Sequence, residues 1–229
     1  MLKPIALAAC LLLASPISTA QALTAAKQAP APAATPVPLL WKACDADNCL
    51  YLLGSFHLLK PSDYPLSKDV DGAFVDAEQL VFEVPPSEMD SPALQQQMLA
   101  AAIRRDGTTL KSELPAALNA SLDAWLAANR DALAKQAMSP EMFQMFKPWF
   151  AALVVTMTGM SQMGMQSDLG LDRHFMAAAG KSGKPVGGLE SGASQIALLA
   201  GMAQEEQRQM LAESIESVGN GGQEMRKLH

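Results

Sequence analysis

Histidine and cysteine are scarce in this chain, with three of each, and lysine and arginine never cluster. Seventeen basic residues face twenty-three acidic ones, for a formal charge of −6. An acidic chain without a basic patch excludes nucleic acid and anionic membrane surfaces as partners. Long apolar runs are lacking too. Residues 148–167 carry no charge, but only Trp149 to Met157 is densely apolar, and Gly159, Ser161, Gln162, Gly164 and Gln166 dilute the rest. A membrane-spanning helix needs about 20 consecutive apolar residues, so no transmembrane segment is expected.

The first 22 residues read as a secretory signal peptide. Lys3 gives a short positive start, Ile5 to Leu13 an apolar core, and Ala20-Gln-Ala22 a small-residue cleavage site. Residues 23–38, mostly Ala, Pro, Thr and Gln, read as a flexible linker. The expected folded domain spans 39–229, and the expected location is the periplasm or the medium. Cys10 leaves with the signal peptide, so Cys44 and Cys49 remain. They flank Asp45-Ala-Asp-Asn48, which is turn chemistry. Strands over Trp41–Cys44 and Cys49–Leu53 then make a hairpin whose cysteines can bridge in an oxidising compartment. A thiolate zinc site would need two more strong ligands nearby, and the sequence offers none.

With histidine so rare, the setting of His57 stands out. The apolar run Leu50-Tyr-Leu-Leu53 stops at Gly54, and His57 follows three residues later. A short apolar run reads as a buried strand, which sets His57 just past a strand end. Gln79 to Val84 is a second such run, with Glu83 near its end before Pro85-Pro86. Lys184 to Glu190 is a third and also finishes on a carboxylate. A carboxylate in an apolar run is costly unless a cation, a metal or donors meet it. If the three strands lie parallel in one sheet, His57, Glu83 and Glu190 converge at one edge, where ligands gather in open α/β sheets. Such a set suits a divalent metal or a general acid/base pair. Glu190 can alternatively cap the following helix.

The rest reads as helix. Ser67 caps a helix carrying Val70, Phe74 and Ala77, so the hairpin strand, this helix and the Glu83 strand resemble a parallel crossover. Ser91-Pro92 opens a helix running to Arg104-Arg105, and Pro115 to Asn129 forms another. Asp168 is expected to cap a helix over Leu169–Ala179 that Gly180 closes. Ser191–Met202 and Gln204–Val218 follow. Met145, Met157, Met160, Met163 and Met165 suggest adaptable core or a groove for apolar partners. His174 beside Phe175 reads as structural. The fold class is α/β, mostly helical with a small central sheet.

Six pieces in order, Leu40-Trp41, Tyr51-Leu-Leu-Gly-Ser-Phe-His57, Leu80-Val-Phe-Glu83, Lys147-Pro-Trp149, Gly170-Leu-Asp172 and Gly188-Leu-Glu190, make the chain resemble the TraB/GumN family. That family is related to the Tiki-type metalloproteases and, further off, to the ChaN and erythromycin esterase groups. The resemblance implies a ChaN/erythromycin-esterase-like α/β fold of two related halves. It also implies metal-dependent hydrolase chemistry, most of all a peptidase acting on a peptide or small-molecule substrate. His57 would be a ligand or catalytic group for a divalent ion, manganese or zinc. Glu83 would be its acidic partner, with Glu190 and Asp172 lining the same cleft. The family's second G-x-x-H has no counterpart here, and residues 219–229 read as a helix cut short, so the chain is expected to be incomplete at its C-terminal end. The alternative expectation is a non-catalytic periplasmic binding protein with a Met-rich apolar surface.

Overall fold

The computed structural model describes residues 39–219. The expected signal peptide, the linker and residues 220–229 lie outside the described residues.

The hairpin forms where the sequence predicts, but its second strand is not the buried one expected. Leu50 and Leu52 are more than half exposed, because a two-stranded sheet has only one face against the core. Strands β1 (Leu40–Cys44) and β2 (Cys49–Leu53) pair antiparallel, with Trp41 opposite Leu52 and Cys44 opposite Cys49. Asp45 closes the turn, its side chain accepting from the backbone N–H groups of Asp47 and Asn48. The two cysteines are joined by a disulfide. Helix α1 (Lys68–Asp76) follows, and the Ser67 hydroxyl accepts from the Val70 N–H. Strand β3 (Leu80–Phe82) then leads through Pro85 into the short α2 (Pro86–Met89) and α3 (Pro92–Ala102), capped by Ser91.

The expected parallel crossover does not form. The hairpin pairs only with itself, and β3 takes its parallel partner from far along the chain, strand β4 (Val186–Gly188). The α/β molecule thus holds two small two-stranded sheets in place of one central sheet. Glycine explains part of that choice. A Cβ on Gly188 would overlap the ring of Pro85, so only glycine lets β4 lie against the end of β3.

Between the β3 and β4 strands lies the helical bulk: α4 (Leu110–Glu113), α5 (Ala116–Ala128), α6 (Arg130–Lys135), α7 (Pro140–Phe143), α8 (Pro148–Gln162) and α9 (Leu171–Ser182). After β4 come α10 (Gly192–Ala200) and α11 (Gln204–Gly219). Helix α8 runs through the dense apolar stretch and on to Gln162, and Trp149, Ala152, Val155 and Thr158 are buried along it. Its main neighbour is α11, which reaches it closely because a Cβ on Gly159 would meet Val218 at 2.6 Å. One hydrophobic cluster joins these helices to Leu122, Trp125, Phe143 and Leu211. A second, of Leu59, Leu66, Val70, Phe82, Leu171 and Phe175, sits beneath the hairpin and β3. No helix among the described residues is long and apolar enough to cross a membrane.

Helix α9 departs from expectation at both ends. Ser167–Leu169 forms a separate 3-10 turn, Gly170 is the N-cap, and the helix continues past Gly180 to end on left-handed Gly183. An interior glycine costs a helix about 1 kcal/mol and does not stop it. A positive φ of 70° does stop it at Gly183.

Candidate active site

The loop after β2 is fastened to the start of α9. Leu171 N–H donates to the Phe56 carbonyl at 2.8 Å, and a short bridge joins Leu59 to Gln166. Gly170 lies so close to the His57 backbone that a Cβ there would overlap the His57 carbonyl. This docking brings the first turn of α9 beneath the histidine. His57 Nδ1 stands 2.6 Å from Asp172 Oδ2, and the Ser55 hydroxyl donates to the same oxygen at 2.8 Å. The imidazole is largely exposed, 62% in its side chain, whereas the carboxylate keeps 12%. A shielded carboxylate therefore holds an open imidazole.

The electrostatics follow from that contact. The Asp172 carboxylate raises the His57 pKa above its ordinary 6.5, chiefly through the hydrogen bond, and Glu83 adds to the rise through space. In return His57 holds Asp172 below the usual carboxylate range, helped by Ser55. A carboxylate on Nδ1 fixes the tautomer and leaves Nε2 facing outward as acceptor or ligand.

Glu83 and Glu190 follow the ends of the two parallel strands. The Glu190 N–H donates to the Glu83 carbonyl at 3.0 Å, so the ladder continues one step beyond β3 and β4. Both side chains are exposed. The Gln195 amide, on α10, bridges them, donating to Glu83 Oε2 at 3.3 Å and Glu190 Oε1 at 3.2 Å. Glu190 is not a helix cap. Ser191 caps α10, and the Glu88 carboxylate takes the Gly192 N–H at 2.9 Å.

Glu83 and Glu190 are brought together through Gln195, while Glu83 reaches His57 only as a charge acting through space. His57 comes from a loop held by α9, and the two glutamates from β3 and β4. Among the described residues no group of three or more His, Cys, Asp or Glu side chains is placed to hold a metal ion. Two residues of the site, Ser55 and Gln195, have no signal of their own in the sequence. Asp172 does carry one, in Gly170-Leu-Asp172, and it pairs directly with His57, which its place in a first helical turn does not suggest. His174 is structural, its ring against Tyr64 and Phe175 with centroids 5.2 Å and 4.9 Å away, and burial lowers its pKa. The methionines do not form one surface. Met145 and Met157 are exposed, Met160 and Met163 are half-buried, and Met165 is in the core.

No curated protein and no solved structure matches the chain. The family comparison does, on the stretch that carries His57, Glu83, Asp172 and Glu190: the model of the TraB/PrgY/gumN family matches residues 39–229, and the chain belongs to that family.

Proposed function

We propose that the protein is an exported metal-dependent hydrolase, a peptidase before other hydrolases, with His57 as its proton-transfer group. The observation that carries this reading is the His57–Asp172 pair at 2.6 Å. Asp172 holds Nδ1 and leaves Nε2 to take a proton from a water attacking a carbonyl, then to return it to the leaving group. The nearby Glu83 charge favours the imidazolium formed on the way. Ser55 steadies Asp172 and does not itself reach the histidine ring by a hydrogen bond in this arrangement.

The donor types suit manganese or zinc. Glu83 and Glu190 would hold the ion, and His57 Nε2 would join them only when it is not acting as the proton acceptor, since one lone pair cannot serve both. An imidazole whose other nitrogen is bound by a carboxylate is the arrangement metal-ligating histidines adopt. With fewer than three such groups gathered, binding is weak, since closed sites use four ligands. Bound there, a divalent ion would polarise the substrate carbonyl and acidify a water. The second reading, a periplasmic binding protein with a Met-rich apolar surface, draws on exposed Met145 and Met157 and is weakened by the burial of Met165.

The test is release of new amino groups from a mixed peptide pool by the purified protein, with and without added Mn²⁺ or Zn²⁺. Metal-stimulated cleavage lost in His57→Ala, with an unchanged circular dichroism spectrum, supports the proposal. Cleavage that survives in His57→Ala, or no cleavage with either metal, overturns it.

A further inference from the structure

The hairpin carries apolar side chains on both faces. Side chains alternate along a strand, and Leu40 and Leu53 point inward onto the cluster around Val70 and Phe82. The opposite face presents Leu39, Trp41, Ala43, Leu50 and Leu52, and no described element covers it. Leu39 is 60% exposed, Trp41 56%, Leu50 58% and Leu52 55%. Trp41 and Leu52 sit directly opposite each other, as do Ala43 and Leu50, so the residues form one continuous ladder. Antiparallel sheets with a wet face normally make that face polar. A contiguous apolar patch of this kind, unlike the singly exposed Val75, Leu189 and Leu198, marks a contact surface.

We propose that this face is where two copies of the chain meet, hairpin against hairpin. Scaled from the 150–250 Å² of a whole aromatic side chain, the tryptophan and three leucines leave roughly 450 Å² in water per copy. A face shared by two copies removes roughly 900 Å² before its rim is counted, close to the ~1,000 Å² at which specific association begins. A two-fold axis sets the same ladder on itself, which a flat apolar face satisfies without a matching groove. Two such sheets pack about 10 Å apart with interdigitated side chains. The disulfide at the tip and the inward contacts at the base keep the ladder rigid, so little ordering entropy opposes docking. Charge speaks against a lipid surface as occupant. The chain is acidic, Asp45 and Asp47 stand at the hairpin tip, and Lys42 points to the other face, where it pairs with Asp76 at 3.5 Å.

Sedimentation velocity over about 1 to 100 µM, the span where an interface of this size associates, tests the proposal. The mass should rise with concentration to twice that of the monomer. Tryptophan emission should shift to the blue in step, and that shift reports Trp41, because Trp125 and Trp149 are already buried. Leu52→Glu should raise the dissociation constant at least tenfold with the circular dichroism spectrum unchanged. If Leu52→Glu does not fold, Leu50→Ser serves in its place. Leu198→Glu, at an exposed site on α10, should leave dimerisation untouched. A monomer at every concentration overturns the proposal. So does a hairpin variant that dimerises like the parent, loss of the dimer in Leu198→Glu, or capture of the monomer by neutral phosphatidylcholine vesicles.

Discussion

Gly170 and the His57 backbone are packed so closely that no side chain fits between them. The contact ties the His57 loop to the helix that supplies Asp172, two residues further along. Gly170 has an ordinary extended conformation, φ −58° and ψ 151°, so crowding and not backbone strain makes the position special.

Gly170→Ala is therefore expected to push the His57 loop off the start of α9. Overpacking of this kind costs about 1–3 kcal/mol. The melting temperature should fall, and the His57 imidazole should lose its raised pKa as the Asp172 contact lengthens. Titration of His57 by nuclear magnetic resonance checks the second effect. A His57 that titrates as in the parent would show that the close approach is incidental.

Asp172→Asn should bring the His57 pKa down toward 6.5, because the hydrogen bond to a carboxylate is its largest cause. If His57 is the base, the lower limb of the pH–rate profile moves to lower pH as well. The stability consequence has a definite window. A raised histidine pKa stabilises the fold fully below 6.5 and loses that contribution as pH rises through the folded value. A lowered aspartate pKa contributes above 3.8 and is lost as pH falls through the folded value. The melting temperature of Asp172→Asn should trail the parent most between about pH 4 and 6.5 and approach it on either side. A gap that is constant with pH would mean the pair is not charged in the native state.

The Cys44–Cys49 bond closes a short loop of sequence separation 5. Constraint of so small a loop is worth about 2 kcal/mol. Thiol labelling of the denatured, unreduced protein should find neither Cys44 nor Cys49 free. Reduction, or Cys44→Ser with Cys49→Ser, should lower the unfolding midpoint without changing the far-ultraviolet spectrum. Two labelled thiols in the unreduced protein would refute the bond.

Leu211 is fully buried where α11 lies on α8 and α5. Leu211→Ala should cost about 2–5 kcal/mol, measured by urea denaturation. A loss below 1 kcal/mol would show that α11 is not part of the cooperative core.

The local elements were the most legible in the sequence. Ser67 and Ser91 mark helix starts, and the cysteine spacing marks the hairpin, because caps and turns are decided within four or five residues. What the sequence concealed is pairing over distance. Three apolar runs ending in His57, Glu83 and Glu190 invite one parallel sheet. Nothing local says that β2 pairs only with β1, or that Gly188 admits Pro85 and so gives β3 its partner. The site residues were visible as types, yet their partners depend on that packing. Ser55 and Gln195 are ordinary polar residues until α9 and α10 are in place. Helix α9 shows the reverse error, where Gly180 looks like a stop and the positive φ needed for one is met only at Gly183.

The separation of the partners has a consequence for the order of synthesis. His57 meets Asp172 across 115 residues, and Glu83 meets Gln195 across 112. The histidine and the first glutamate leave the ribosome long before anything that orients them. A nascent chain that has not reached Leu171 holds a free imidazole in an unfastened loop, and one that has not reached Val186 leaves β3 without a neighbour. The His57–Asp172 and Glu83–Gln195 contacts can therefore close only as the last third of the chain is made and packed, whatever the order in which the earlier helices fold.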